Sequence, residues 1–509
     1  MKKLLIITII GFLQLNTSAQ KIAYSVVERE DIKDMNFEII GKVGGNISIY
    51  KNVRNKHDLC IYDNEMQLKN RIGLEFLPDR ILNVDFIAYP DFSYMIYQYQ
   101  KRGIVYCSMV KINGAGKLMT EPVDLDTSEV SGPGDNKVYS VINSDDKKKI
   151  MIFKILRQGD RNYQITSTLY DNQLSLIRKN TFNLAANTRE GVFTDFLLDN
   201  EGDFFFGRCG RSGNRENINK LDIIHKQANS DSIKIVPIVL QDKILDEVKL
   251  KIDNYNKKVL INAFFYKQKR GNIDGLFSMA WNKLNPSSSV ENSFLFNDSL
   301  RLDAKGESSN LKNAFNDHFI RHVVPVQDGS YAVMTELFYS SSRSTPWNRY
   351  DYLFGNNMFF PYNPYYYYPM NRMYAWGYFP YNRFGPPNNM TRYISENIMV
   401  FYFNADGKLA WSNTIRKNQF DDNSDSFISY QLFNTGSELR FLFNQREKRQ
   451  LMLNSATIDA DGKMKRQPTL KNLESDYEFM PKYGKQIGLR QIILPCVYKN
   501  YICFANMEF

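Results

Sequence analysis

The chain has 509 residues, 43% hydrophobic and 24% charged, a globular composition that excludes a wholly disordered or collagen-like polymer. Aromatic residues reach 14%, with 32 Tyr and 35 Phe, and Lys and Arg exceed Asp and Glu by a net +10. Five cysteines in such a length exclude a disulfide-scaffold miniprotein.

Residues 1–19 read as a secretory signal peptide: Lys2 and Lys3 precede the apolar run Leu4 to Leu13, and Thr17-Ser18-Ala19 supplies the small-residue cleavage site. The run is about half the ~20 residues that span a bilayer. No later stretch is apolar enough for a transmembrane segment, so a periplasmic or secreted location is expected after cleavage near Ala19. Cleavage removes two lysines and no acid, so the charge falls from +10 to +8. Export makes nucleic acid an unexpected partner and permits disulfides.

From there to the C-terminus one pattern recurs, read as a single domain over 20–509. A β-type run leads through a polar turn into a strongly apolar strand: Asn46–Lys51, Tyr94–Tyr99, Lys149–Lys154, Asp203–Gly207, Val259–Tyr266, Tyr331–Phe338, Leu439–Phe443 and Tyr501–Phe504. Turn chemistry precedes each, as in Gly44-Gly45, Asp328-Gly329 and Thr435-Gly436. A second hairpin follows in every unit but the last, turning at Asp63-Asn64, Asp406-Gly407, Asp461-Gly462 and their counterparts. Ile244 to Lys251 is the nearest rival for a helix. Units of ~45–55 residues with four strands have the size of propeller blades.

Seven full units run from about Asn36 to Leu473. Gln491 to Phe509 is read as a first-and-second-strand hairpin, and Ile22–Val27 as an outer strand that pairs with it. Joining the two ends would remove free sheet edges. The expected fold is therefore all-β, a β-propeller of eight blades with the last shared between the termini; seven is the alternative. A tandem of β-sandwiches competes.

Catalytic signatures are sparse. There is no G-x-S-x-G, H-E-x-x-H or phosphate-loop motif. His57, His225, His318 and His322 are the only histidines. His318 and His322 would share a strand face, but no carboxylate or Cys stands at ligand spacing, so no metal and no cofactor is expected. A two-residue turn at Lys499-Asn500 would set Cys496 opposite Cys503, ~5.5 Å apart at Cα and within disulfide range. Cys60, Cys107 and Cys209 read as buried thiols.

An insertion over 344–392 breaks the repeat in the sixth unit. Pro346 to Met390 holds 17 aromatic residues, eight Asn, seven Pro and four Met in 45 positions. Its prolines oppose helix and central strand, and its rings favour burial against a surface. Trp347, Tyr350, Tyr362, Tyr365, Tyr366, Tyr367, Tyr368, Tyr374, Trp376, Tyr378 and Tyr381 are the candidate partner-binding residues, being types enriched at interface cores. A lid folded over its own propeller and a sticky low-complexity tail with no specific role are the competing readings, and a carbohydrate platform of stacked rings is a variant of docking. The turns between second and third strands are basic elsewhere. Arg208, Arg211, Arg215, Lys267, Lys269, Arg270, Arg446, Lys448 and Arg449 make a candidate rim that would steer an acidic partner.

The repeat resembles the β-propeller superfamily in layout, without the signature of a named subfamily. With its signal peptide and insertion it also resembles periplasmic propellers that attach to outer-membrane machinery, such as the plug of a type IX secretion translocon. That resemblance implies a non-enzymatic scaffold of the Gram-negative cell envelope docking on a protein partner, an outer-membrane barrel being one option. The alternative is an exported carbohydrate-active enzyme, a glycoside hydrolase or lyase, with carboxylates and tyrosines in an axial pocket and the insertion as lid. Convergent buried carboxylates with raised pKa values at the axis would favour that alternative.

Overall fold

A computed structural model describes residues 21–28, 35–130, 138–158, 162–185, 191–211, 217–269, 271–307, 309–342, 347–354, 391–422, 425–447, 450–467, 477–499 and 501–509. Among them, strands dominate, and nearly all pair antiparallel with the next strand along the chain. The first sheet is typical: Met35–Val43, Asn46–Val53, Lys56–Tyr62 and Leu68–Gly73 lie side by side in that order. The Gly44-Gly45 turn works because both glycines take positive φ, 56° and 79°, which side chains resist.

Seven sheets result, and the eight-stranded one divides at a single paired position, Ile218–Leu245, into two four-strand groups. Burial falls outward within a group. Asn162–Asp171, a third strand, is mostly buried, whereas the fourth strand Leu176–Ala185 alternates toward solvent. First strands of successive groups, such as Gly191–Leu198, Ile244–Asp253 and His318–Pro325, touch one another. The groups therefore lie face to face, with first strands inward. This arrangement is consistent with a β-propeller.

The core is distributed between groups. Eight hydrophobic clusters each join one four-strand group to its neighbour. One of them packs Phe37, Ile49 and Tyr62 of the first sheet against Ile493, Ile502 and Phe504 near the C-terminus. Each fully buried Phe or Ile contributes roughly 1.5–3 kcal/mol, so stability resides in these seams more than inside any sheet.

One sequence expectation changes, at the C-terminus. The terminal hairpin, Gln491–Tyr498 with Tyr501–Glu508, is a second and third strand; the first is a broken pair, Tyr477–Phe479 and Lys485–Gln486, split by a short turn of 3₁₀ helix at Pro481. Lys21–Tyr24 is the outer strand, as expected, in register Lys21↔Glu508 to Tyr24↔Ala505. Ile244–Asp253 is a strand, its β-branched and apolar residues buried between sheets. Two short helices enter loops: α1 (Asp298–Ala304), capped by Asn297 accepting from Leu300 N, and α2 (Arg349–Phe354) at the start of the insertion. No helix among the described residues is long and apolar enough to cross a membrane.

Candidate active site on the inner strands

Charged residues inside apolar inner strands need a reason, and β-bulges supply it. Three consecutive first strands slip register against their partners: between Thr194 and Leu197, between Leu245 and Val248, and between Ile320 and His322. The residues passed over include Asp195, Asp246, Glu247 and Arg321. A bulge breaks strict alternation and re-aims side chains, here bringing charge among the inner strands. Asp195 is held with φ 50°.

The charges alternate in sign. Asp195 Oδ1 lies 3.5 Å from Lys249 Nζ. Arg349 Nη2 stands 2.6 Å from Asp246 Oδ2 and 3.9 Å from Glu247 Oε2. Arg321 Nε donates to Glu336 Oε2 at 3.1 Å, and Lys417 Nζ reaches Glu336 Oε1 at 2.9 Å. Two carboxylates also clamp the next group's inner strand: Leu250 N donates to Asp195 Oδ2 at 2.7 Å, and Ile320 N to Glu247 Oε2 at 2.8 Å.

Environment separates the two glutamates. Glu336 is fully buried; burial alone would raise its pKa, but Lys417 and Arg321 outweigh that and hold it at about 2. Glu247 goes the other way: burial pushes its carboxyl up, and Lys249 and Arg349 only partly offset this. Glu247, Lys249 and Arg321 keep 13%, 23% and 26% of their side chains accessible although protein surrounds them, the signature of a recess. A buried carboxyl of raised pKa beside cations is a candidate for proton transfer.

The described start of the insertion, residues 347–354, packs on the inner strand His318–Pro325. The Arg349 guanidinium stacks 3.9 Å from the Phe319 ring centroid, and Arg321 lies 5.4 Å from the same ring. Trp347 Nε1 donates to Asp317 Oδ1 at 2.8 Å, and burial raises the pKa of that carboxyl. Trp347 also packs near Phe319, Phe338 and Tyr352. Tyr352 is 49% exposed and packs against the Phe319 and Trp347 rings.

Of the residues singled out from sequence, Trp347 thus points inward. Tyr350 belongs to α2 but its side chain lies outside the described residues, as do Tyr362, Tyr365, Tyr366, Tyr367, Tyr368, Tyr374, Trp376, Tyr378 and Tyr381 entirely. Arg208 and Arg211 sit on the strand Phe204–Arg211, not in a loop, because the hairpin pairing continues to Arg211–Ile218. Arg208 is bound to Asp222 Oδ2 at 2.7 Å and Arg211 is buried. Lys267, Lys269 and Arg446 are exposed, the last lying 4.9 Å over the Phe420 ring. Arg215, Arg270, Lys448 and Arg449 are outside the described residues. Asp195, Asp246, Glu247 and Arg321 went unnoticed in the sequence.

His318 and His322 do not share a face, because the bulge at Arg321 intervenes. His318 meets Ala304 O and Thr335 Oγ1, both at 3.1 Å, while His322 meets the Tyr430 ring. Among the described residues no group of three His, Cys, Asp or Glu could hold a metal ion. Cys496 and Cys503 stand opposite each other as free thiols, with Sγ atoms 2.8 Å apart; Cys60, Cys107 and Cys209 are buried. A cavity of about 560 Å³ lies elsewhere, at the seam of the chain ends, lined by Lys21, Lys42, Glu65 and Arg490 among others.

No family model and no curated protein matches the chain. Solved structures of similar fold include an ulvan lyase of a new polysaccharide lyase family, 9% identical, covering 82% of this chain and 90% of its own, TM-score 0.36. Another is a prolyl endopeptidase, 8% identical over 92% of this chain and 55% of its own, TM-score 0.41. A third is prolyl oligopeptidase B of Galerina marginata, 9% identical over 91% and 56%, TM-score 0.39. All three are enzymes, where the sequence reading expected a non-enzymatic docking scaffold. That expectation is withdrawn.

Proposed function

We propose that this chain is an exported carbohydrate-active enzyme whose reaction takes place in the inner-strand recess. The eight four-strand groups form the blades of one propeller, closed where Lys21–Tyr24 pairs with Tyr501–Glu508. Glu247 is the acid–base group. Arg321 and Lys249 stabilise negative charge developing on the substrate, and Tyr352 meets the sugar at the mouth. Glu336 and Lys417 are positioning residues that fix Arg321 from behind.

The observation that supports this reading is a pair of glutamates with opposed proton affinities: Glu336, fully buried on a second strand and tied to Arg321, and Glu247, on an inner strand with part of its side chain accessible. Groups driven apart in pKa within one site take separate acid and base roles. Of the convergent buried carboxylates with raised pKa that the sequence reading asked for, Glu247 supplies one.

The test is a panel of neutral and acidic polysaccharides offered to the purified chain. Reducing ends report hydrolysis, and the ultraviolet absorbance of unsaturated uronate reports elimination. Glu247→Gln should retain the fold and lose at least ~100-fold in kcat. An equally active Glu247→Gln variant, or no product from any polysaccharide, overturns the proposal.

A further inference from the structure

We propose that Cys496 and Cys503 oxidise to a cross-strand disulfide that clasps the sheet built from both ends of the chain. The two residues are in register across a two-residue turn, with Tyr498 opposite Tyr501 closing the hairpin and Cys496 opposite Cys503 two steps on. That step returns to the same pair type, which sets Cα atoms ~5.5 Å apart, inside the disulfide range. The Sγ atoms already face each other at 2.8 Å. Cys60, Cys107 and Cys209 lie in three other sheets, on Lys56–Tyr62, Ile104–Asn113 and Phe204–Arg211, so in the folded molecule none is placed to take the bond.

The position gives the bond its purpose. Tyr501–Glu508 is held on one side by Gln491–Tyr498 and on the other by Lys21–Tyr24. Just beyond Cys503, Phe504 N donates to Ser25 Oγ at 3.0 Å and accepts at its carbonyl from Ser25 N at 2.8 Å. A covalent link at this point keeps the central hairpin of the seam in register while the N-terminal strand docks.

Both cysteines are essentially inaccessible, at 0% and 1% exposure. The bond therefore forms before the hairpin packs, by exchange with a small-molecule or enzyme disulfide. One cysteine thiolate attacks that disulfide, forming a mixed disulfide and releasing one thiol. The second cysteine thiolate attacks the mixed disulfide and releases the other. Two thiol protons and two electrons leave the protein, and the oxidant ends as two thiols. After packing, the same burial shields the bond from reductants.

The full chain, reduced and denatured, is refolded once with oxidised glutathione and once with dithiothreitol. Each sample is then denatured, alkylated and peptide-mapped by mass spectrometry. The glutathione sample should show Cys496 and Cys503 unalkylated and two hydrogens lighter as a linked pair, with Cys60, Cys107 and Cys209 alkylated. Its urea unfolding equilibrium should favour the folded state more than about tenfold over the dithiothreitol sample. Cys496→Ala with Cys503→Ala should remove that difference. Alkylation of both cysteines after glutathione refolding overturns the proposal, as does a linked pair with no shift in unfolding. The comparison of two redox states of the unaltered chain holds even where the double variant does not fold.

Discussion

Replacing Glu336 by Gln tests whether the charge network is structural cement for the recess. The side chain keeps its shape, so the experiment removes charge and leaves Lys417 and Arg321 facing an amide. The folded carboxyl sits at about 2 against an ordinary 4.5, and a shift of that size corresponds to ~3 kcal/mol at neutral pH. Breaking one partner of a buried pair costs a similar ~3–5 kcal/mol. The pair is worth less than this cost: burial holds Lys417 below the usual lysine range despite Glu336 at 2.9 Å, so the ammonium gives back part of what the carboxylate gains. Because the folded pKa lies below the unfolded one, the stabilisation is complete above pH 4.5 and disappears as pH falls toward about 2. Urea unfolding followed by tryptophan fluorescence should show the variant ~3 kcal/mol less stable at neutral pH, with the gap closing across that acid window. A gap below ~1 kcal/mol at neutral pH, or one that does not change with pH, refutes the assignment.

Arg349→Ala leaves Asp246 with Tyr266 alone and uncovers Phe319; thermal unfolding should register a loss of ~3 kcal/mol, and Michaelis–Menten kinetics an altered KM if α2 is the lid. His318, which burial holds at about 4, stays neutral in the fold while the unfolded chain takes up a proton below 6.5. Stability should therefore fall by up to ~3 kcal/mol as pH drops from 6.5 to 4, and His318→Gln should lack that component in a pH series of urea midpoints. Gly462→Ala places a Cβ at φ 80° only 2.8 Å from the Trp411 ring, so a loss of ~1–3 kcal/mol is expected by differential scanning fluorimetry. Deleting residues 21–24 exposes the outer edge of Tyr501–Glu508 and should lower the melting temperature of the whole molecule, not of one segment.

Strand content and turn positions were legible because each unit alternates short apolar runs with Gly, Asn and Asp turns, and those signals are local. Gly329, Gly407, Gly436 and Gly462 do adopt positive φ in the structure. What failed depended on distant partners. The terminal hairpin was placed one strand too far inward because its true inner neighbour, Tyr477–Phe479 with Lys485–Gln486, is short and cut by Pro481. The recess was missed because period-two reasoning assigns Glu247 and Arg321 a face, and a bulge cancels that assignment. A signal was nonetheless present. Asp246-Glu247 is an acidic pair between Leu245 and Val248, two residues the core buries, and Thr194-Asp195-Phe196 sets an acid beside a buried Phe. An unexplained charge in an apolar inner strand is worth flagging before any motif search.

The contact between Ser25 and Phe504 spans 479 positions of sequence. Bringing such distant points together costs roughly 5 kcal/mol of chain entropy when nothing between them is ordered. Each group that folds and packs on its predecessor shortens the flexible length remaining and so lowers that cost. Among the described strands Lys21–Tyr24 pairs with Tyr501–Glu508 alone, so this contact forms only after Tyr501–Glu508 has been made. A chain threaded across a membrane unfolded, and released from its amino end onward, would complete its seam only on the far side.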